Sequence, residues 1–440
     1  LDLAATRARA NADGSDVVYN NTRIEAGNKF TLTSGGNTTL QGATVSAPNV
    51  TGTIGGDLTI TSLQDISRFA SKQSSAGLQA SICFPPFCYG ITGTGSVSRL
   101  TVDGDFTSVT ETSGIRAGDG GFQVKVGGNT GLHGGVIASS DQAVSDKNLL
   151  QTATLTTSDL RNRDVYEANG YSVSVSVGSS KSSGSAGVGS AEGAQESVTR
   201  AGISGGTIIV TDGTAQAATG KTVDDVLASL DREVTSGNAD ASALLKAWDA
   251  ARLQSEVDAQ VKISAEFGKA ASKTAGEYAT QKAEDARKAG NYDEFRKWDD
   301  GGEYRIALHG GIGLLTGGLQ GAAGAIASAK LMPVIGEEIA RMNLPKEVSD
   351  ALTIAAGAGL GAVAGGGTGA ATGLNETANN YVSMSPFAGV RRRLAQVNAQ
   401  LTDASGACSE EEFDQIQRHM VQMELAANLS VALEKGTVTR

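Results

Sequence analysis

Proline, histidine, cysteine and aromatic residues are all scarce in this chain of 440 residues. It has 6 Pro, 3 His, 3 Cys and 5% aromatics. The histidines, His133, His309 and His419, fall in three separate segments, so none belongs to a metal or catalytic constellation that spacing could reveal. The only close cysteine pair, Cys83 and Cys88, brackets Phe84-Pro85-Pro86-Phe87. With no second pair and no nearby His this spacing does not read as a zinc site, but it suits a short disulfide loop in an exported protein. Cys408 stands alone. Positive charge is also in short supply: 36 Lys and Arg against 47 Asp and Glu leave a net charge of −11. A nucleic-acid-binding surface needs a basic patch, and the one basic cluster here is Arg391-Arg392-Arg393. There is no initiating Met and no signal peptide at Leu1, so the chain is expected to be a piece of something longer or a processed product.

Glycine, in contrast, is abundant, at 58 residues without a collagen period. In the first third it marks a recurring unit, Gly followed by Asn or Asp and then a short strand. The unit appears at Gly27-Asn28, Gly36-Asn37, Gly56-Asp57, Gly104-Asp105 and Gly128-Asn129. Both residue types tolerate positive φ, so each pair predicts a turn into a strand. A repeat near 20 residues predicts one coil of a parallel β-helix, with an all-β sandwich as the competing fold. The irregular stretch from Ile60 to Asp103 reads as an insertion out of the stack. Tyr171–Val177 alternates as a strand does, Gly178–Ser197 reads as a mobile Gly/Ser linker, and Thr207–Val210 is a further short strand.

From Val223 the pattern turns helical, with Thr222 as a cap ahead of Asp224 and Asp225. Ala241–Ala289 predicts a long helix with Leu244, Leu245, Trp248, Val257, Val261 and Phe267 buried, and with breaks at Gly268 and Gly276. Two uncharged Gly/Ala runs follow, Ile306–Ser328 and Ala351–Gly373. Gly313, Gly317 and Gly321 recur every fourth residue, as do Gly357, Gly361, Gly365 and Gly369, so each set shares one helix face. Such faces let backbones approach closely, and each run is long enough to cross a bilayer. A soluble helical hairpin, a hairpin that inserts conditionally and a resident anchor all remain open on this pattern. After Tyr381, Val390–Thr402 and Glu410–Glu434 read as two more helices.

Two sequences imitate catalytic motifs. Ala215–Thr222 approaches a phosphate-binding loop but starts with Ala and is followed by Asp224 and Asp225. Gly202-Ile203-Ser204-Gly205-Gly206 matches a nucleophile elbow but precedes a strand rather than a helix, and reads as a turn. The sequence therefore predicts no catalytic residue, no cofactor and no metal.

Taken together, several segments resemble the C-terminal part of two-partner-secreted filamentous haemagglutinins and contact-dependent growth inhibition exoproteins. They are Gly27–Asp65, Ser113–Phe122, Gly127–Ser139 with Leu155–Leu160, and Gly205–Val234. The resemblance implies a secreted protein of the bacterial surface that is not itself an enzyme. It also implies a right-handed β-helix, and thus a β-solenoid followed by a mostly α-helical C-terminal half with a Gly/Ala-rich hairpin. The expected units are 1–165 haemagglutinin repeats, 166–221 a β-rich transition, 222–302 a helical pretoxin region, 303–375 the hairpin and 376–440 a helical end. The partners implied are an outer-membrane two-partner transporter, a target-cell receptor or membrane, and a downstream toxin domain with its immunity protein; nucleic acid is not among them. In this family a Val-Glu-Asn-Asn motif marks the pretoxin boundary. Here the corresponding residues are Glu376, Asn379, Asn380 and Tyr381, with Val-Glu no longer contiguous with Asn-Asn. The functions implied are delivery of a C-terminal toxin or, alternatively, adhesion to host or neighbouring cells.

Overall fold

The computed structural model describes residues 2–83, 90–143, 145–178, 182–342, 344 and 346–382. The Cys83–Cys88 loop, the Arg391–Arg393 cluster and the two helices expected after Tyr381 lie outside the described residues.

Fourteen short strands form three parallel sheets. One contains β2 (Thr22–Glu25), β5 (Ala43–Ala47), β10 (Gly114–Ala117), β13 (Val136–Ala138) and β18 (Gly202–Ile203). The second contains β3 (Lys29–Ser34), β6 (Asn49–Ile54), β11 (Phe122–Val126), β14 (Leu149–Thr152) and β19 (Thr207–Val210). The third contains β4 (Thr38–Gln41), β7 (Leu58–Thr61), β12 (Asn129–His133) and β15 (Thr154–Ser158). Val50, Leu58, Ile60, Phe122, Leu132, Ile137 and Leu155 from these sheets share one buried core. The Gly-Asx units stack at its rim. Asp57 N donates to Asn37 Oδ1 at 2.9 Å and Asn129 N donates to Asp57 Oδ1 at 2.7 Å. A Cβ on Gly56 would lie 2.1 Å from Asn37 Oδ1, which is why Gly precedes the Asx.

The fourth sheet changes the architecture. β1 (Asp2–Val17), β8 (Asp65–Cys83), β9 (Gly90–Ser108), β16 (Leu160–Val177) and β17 (Ser183–Thr199) form one antiparallel sheet with strands of 16–19 residues. The expectation of a β-solenoid, a right-handed parallel β-helix, is corrected by this sheet, while the mostly α-helical C-terminal half is present. Pairing across the parallel sheets steps from Phe30↔Val50 to Val50↔Phe122, so spacing near 20 residues is not sustained. Between these levels the chain leaves to build long hairpins, and the helices pack on those hairpins. Gly104-Asp105, read above as a repeat turn, lies inside β9.

Gly178–Ser197 is mostly strand β17 rather than a mobile linker. Its glycines are required by what lies above them. A Cβ on Gly187 would sit 1.9 Å from Val261 O, and one on Gly189 would sit 2.7 Å from Val257 O. A side-chain-free strip of sheet thus receives the backbone of α3 (Ala250–Lys288) directly. Ahead of it come α1 (Gly213–Ala218) and α2 (Val223–Ala228), the latter capped by Thr222 in a reciprocal arrangement with Asp225. Ser204 joins β18 to β19 as a turn, its Oγ donating to Val234 O at 2.5 Å. Residues 241–249 are irregular rather than helical. Trp248 is buried there against Gly104, while Leu245 is 85% exposed. α3 runs unbroken through Gly268 and Gly276 and buries Leu253, Val257, Val261 and Ala265, leaving Phe267 off that stripe and exposed. After α4 (Tyr292–Trp298), Trp298 packs edge-on to Tyr278 with ring centroids 5.6 Å apart.

Candidate functional site: a buried polar junction beneath two folded-back helices

α5 (Glu303–Arg341) and α6 (Lys346–Glu376) carry the glycine rows. Each is interrupted at a Gly-Gly pair. Gly317 has φ −153° and ψ 22°, and Gly318 has φ 59° and ψ −153°. Gly365 has φ −146° and ψ 28°, and Gly366 has φ 59° and ψ −148°. The second residue of each pair adopts a conformation open essentially to glycine alone. Each long helix therefore folds back on itself, and the glycine rows line the fold. A Cβ on Gly313 would lie 2.4 Å from Gly321 O, and one on Gly361 would lie 2.1 Å from Gly369 O. The two arms also touch each other. A Cβ on Gly324 would meet Gly369 O at 2.3 Å, and one on Gly365 would meet Gln320 O at 2.0 Å. Gly317 lies under Thr368, and Gly357 under Thr377. The polar segment between the two glycine-rich runs, Lys330–Asp350, is largely helix, since α5 continues to Arg341 through Pro333 and α6 begins at Lys346.

The boundary residues lie where α6 ends in a turn of π-helix, Thr377–Tyr381, closed by Val382 N donating to Thr377 O at 2.8 Å. All of Asn375, Glu376, Thr377, Asn379, Asn380 and Tyr381 are buried. Asn375 pairs with Ala186 of β17, and Asn379 Nδ2 donates to Gly184 O at 2.7 Å. The Glu376 carboxylate accepts from Asn380 Nδ2 at 2.9 Å and from Ser328 Oγ of α5 at 2.8 Å. Burying a charge is costly unless it is bonded, and these groups supply the bonds.

Four of these side chains need a glycine opposite them. Asn375 sits on Gly268, Asn380 on Gly276, Thr377 on Gly357 and Tyr381 on Gly336, each closer than 3 Å to where a Cβ would stand. The glycines of α3, which sequence periodicity reads as helix breaks, are instead sockets for Asn375 and Asn380. No local signal distinguishes the two roles.

Below the junction Arg305 is buried and ion-paired with Asp300, both side chains 2% exposed. Its guanidinium also donates to Gly276 O at 3.0 Å and Thr280 Oγ1 at 2.6 Å, tying α5 to α3. His309, one turn on, is buried, and neither ring nitrogen has a hydrogen-bond partner among the described residues. The hydroxyls beside the Glu376 carboxylate, those of Ser328 and Thr377, are buried away from solvent. Among the described residues no group of three or more His, Cys, Asp or Glu could hold a metal. The arrangement is a mechanical fastening, in which one short segment joins α3, α5, α6 and the antiparallel sheet.

The described fold can be set beside known proteins. The family described as Hemagglutinin repeat matches residues 1–76. Over most of its length the chain is similar to filamentous haemagglutinin and CdiA-type exoproteins. Among its relatives, Toxin CdiA of Escherichia coli is 39% identical over 213 residues, which is 45% of this chain and 7% of that protein. tRNA nuclease CdiA of Escherichia coli strain NC101 is 31% identical over 421 residues, 88% of this chain and 12% of the relative. Deoxyribonuclease CdiA of Yersinia pseudotuberculosis serotype O:3 is 37% identical over 217 residues, 47% of this chain and 20% of the relative. The chain thus spans at most a fifth of the length of these three relatives. No solved structure matches.

Proposed function

We propose that this chain is the stalk and delivery region of a contact-dependent interbacterial inhibition exoprotein. On this reading it is exported through an outer-membrane two-partner transporter and displayed at the bacterial surface. It meets a receptor or membrane of the target cell, and a toxin with a matching immunity protein belongs to the same system. The nuclease activities in the relatives' names are those of the relatives, and the residues described here serve transport and presentation rather than catalysis. The units expected from the sequence keep their roles as proposals, with Glu376, Asn379, Asn380 and Tyr381 at the pretoxin border.

The observation that carries this reading is the pair of uncharged, glycine-lined runs within α5 and α6, helices long and apolar enough to cross a membrane. Gly313, Gly317, Gly321, Gly357, Gly361, Gly365 and Gly369 are the helix-packing positions on which insertion would depend. The test is a co-culture killing assay with the full-length exoprotein carrying Gly361→Leu and Gly365→Leu. Killing should be lost while the surface level of the protein is maintained. The control, Gly359→Leu, faces open space and should kill normally. Unchanged killing by the double variant overturns the role of the helices, and an adhesive stalk becomes the better reading.

A further inference from the structure

The uncharged stretch of α5 runs from Ile306 to Ala329, and that of α6 from Ala351 to Asn375. As continuous helices, these 24 and 25 residues would each extend about 36 Å, more than the roughly 30 Å hydrocarbon core. In the folded-back state they do not. The break at Gly317-Gly318 cuts the first into pieces of about 16 Å, and the break at Gly365-Gly366 shortens the second in the same way.

The two breaks are equivalent. Gly313, Gly317, Gly318 and Gly321 correspond to Gly361, Gly365, Gly366 and Gly369 at a constant offset of 48 positions. The dihedrals at the paired sites agree within 7°. A Cβ on Gly318 or Gly366 would meet nothing within 4 Å, so at these positions packing does not demand glycine and only the backbone conformation does. Large apolar residues flank the breaks and stay in solvent. Leu315 is 77% exposed, Leu319 84% and Val363 92%.

We infer that the two Gly-Gly elbows are hinges on which α5 and α6 open from folded-back pairs into continuous helices, and that this opening gives each arm an uncharged length matching a bilayer. The closed form is held by the Gly313–Gly321 and Gly361–Gly369 backbone contacts and by Thr372 Oγ1, which donates to Gly321 O at 2.8 Å. The opened form is favoured by lipid, which would cover the leucines and Val363. The hinge rests on the membrane role proposed above, and the experiment separates the two.

The full 440-residue chain, with Cys83, Cys88 and Cys408 replaced by Ser, is spin-labelled at Gly311→Cys and Lys330→Cys, both exposed positions on opposite sides of the first elbow. Distances are measured by pulsed EPR in buffer and with phosphatidylethanolamine–phosphatidylglycerol vesicles. Straightening places the two backbone positions about 28 Å apart. Lengthening is expected on vesicles, and already in buffer when Gly318→Ala and Gly366→Ala remove the glycine-only conformation. The alanine variant should also bind vesicles several-fold better. A separate chain with Gly310→Cys and Ile326→Cys, where a Cβ on residue 310 lies 2.8 Å from Ile326 Cγ1, is bridged across the same elbow. It should bind vesicles only after reduction. Lengthening of the alanine variant without vesicle binding supports the hinge and removes the membrane role. An unlengthened distance in both the alanine variant and the vesicle sample overturns the hinge, whether or not the chain binds lipid.

Discussion

Asn375 and Ala186 exchange two hydrogen bonds: Ala186 N donates to Asn375 Oδ1 at 2.9 Å, and Asn375 Nδ2 donates to Ala186 O at 2.7 Å. The side-chain amide acts as a peptide group would in a neighbouring strand, extending β17 by one residue taken from a helix. Replacing Asn375 by Ala leaves both groups of a buried backbone residue unpaired, at about 2–5 kcal/mol in total. Chemical denaturation of Asn375→Ala should show that loss. Asn375→Asp keeps the acceptor but sets a carboxylate against Ala186 O, and should be no better. Stability within about 0.5 kcal/mol of wild type would mean that the pair contributes nothing measurable.

One chemical change should have opposite effects at two glycines of the same helix. At Gly311 a Cβ meets nothing within 4 Å, so Gly311→Ala should stabilise by about 0.5–1 kcal/mol through helix propensity. At Gly324 the same Cβ would stand 2.3 Å from Gly369 O, a backbone atom that cannot turn aside. Gly324→Ala should therefore destabilise by about 1–3 kcal/mol or more. Thermal melts of the pair measure the contrast, and equal shifts of one sign would refute the close approach of α5 and α6.

The Arg305–Asp300 pair offers a third check. Both side chains are almost wholly buried. Arg305→Leu strips Asp300 of the guanidinium and removes the bonds to Gly276 O and Thr280 Oγ1, which should cost about 3–5 kcal/mol. The double variant Arg305→Leu, Asp300→Asn should recover a substantial part of that, because it also removes the buried negative charge of the pair. A double-mutant cycle by urea unfolding gives the coupling directly.

pH dependence should be legible at Asp240. Burial works to raise its carboxyl, but the Arg116 guanidinium and the Thr112 N–H, at 2.6 Å and 2.8 Å, hold it below the usual carboxylate range. A carboxyl depressed in the folded state contributes stability that is fully present above its unfolded value, near 3.9, and is lost as pH falls through its folded value. With the side chain 37% exposed, solvent screening limits the contribution to about 1 kcal/mol. Asp240→Asn should therefore be less stable than wild type at neutral pH, and the difference should shrink as pH falls below the unfolded value and through the folded one. A difference that persists unchanged in acid would assign it to packing instead.

Much of the local structure is legible in the residues themselves. The Gly-Asx units at Gly27, Gly36, Gly56 and Gly128 each lead into a short strand, because the demands on those residues are met within a few positions. Thr222 caps α2 with Asp225 for the same reason. The four-residue glycine rows of α5 and α6 do mark close backbone contact. Partner identity is a different matter. Periodicity cannot say that Gly313 meets Gly321 of its own helix, or that Gly268 and Gly276 admit side chains more than 100 positions later. Composition likewise cannot separate a flexible Gly/Ser linker from β17, whose glycines exist because a helix lies on them.

By itself, then, the amino-acid order determined the turns, the caps, the uncharged lengths and the face on which each glycine falls, since these follow from neighbours along the chain. Only tertiary structure decided that the insertion legible over Ile60–Asp103 becomes the strands of Asp65–Ser108 and pairs with Leu160–Thr199 in an antiparallel platform. It also decided that both long helices fold back at Gly-Gly and that Glu376–Tyr381 is buried as a clasp. The physical reason is that close packing depends on which surfaces meet. A glycine, an asparagine or a buried carboxylate acquires its role from an atom a few ångströms away in space, and that atom belongs to a residue far along the chain.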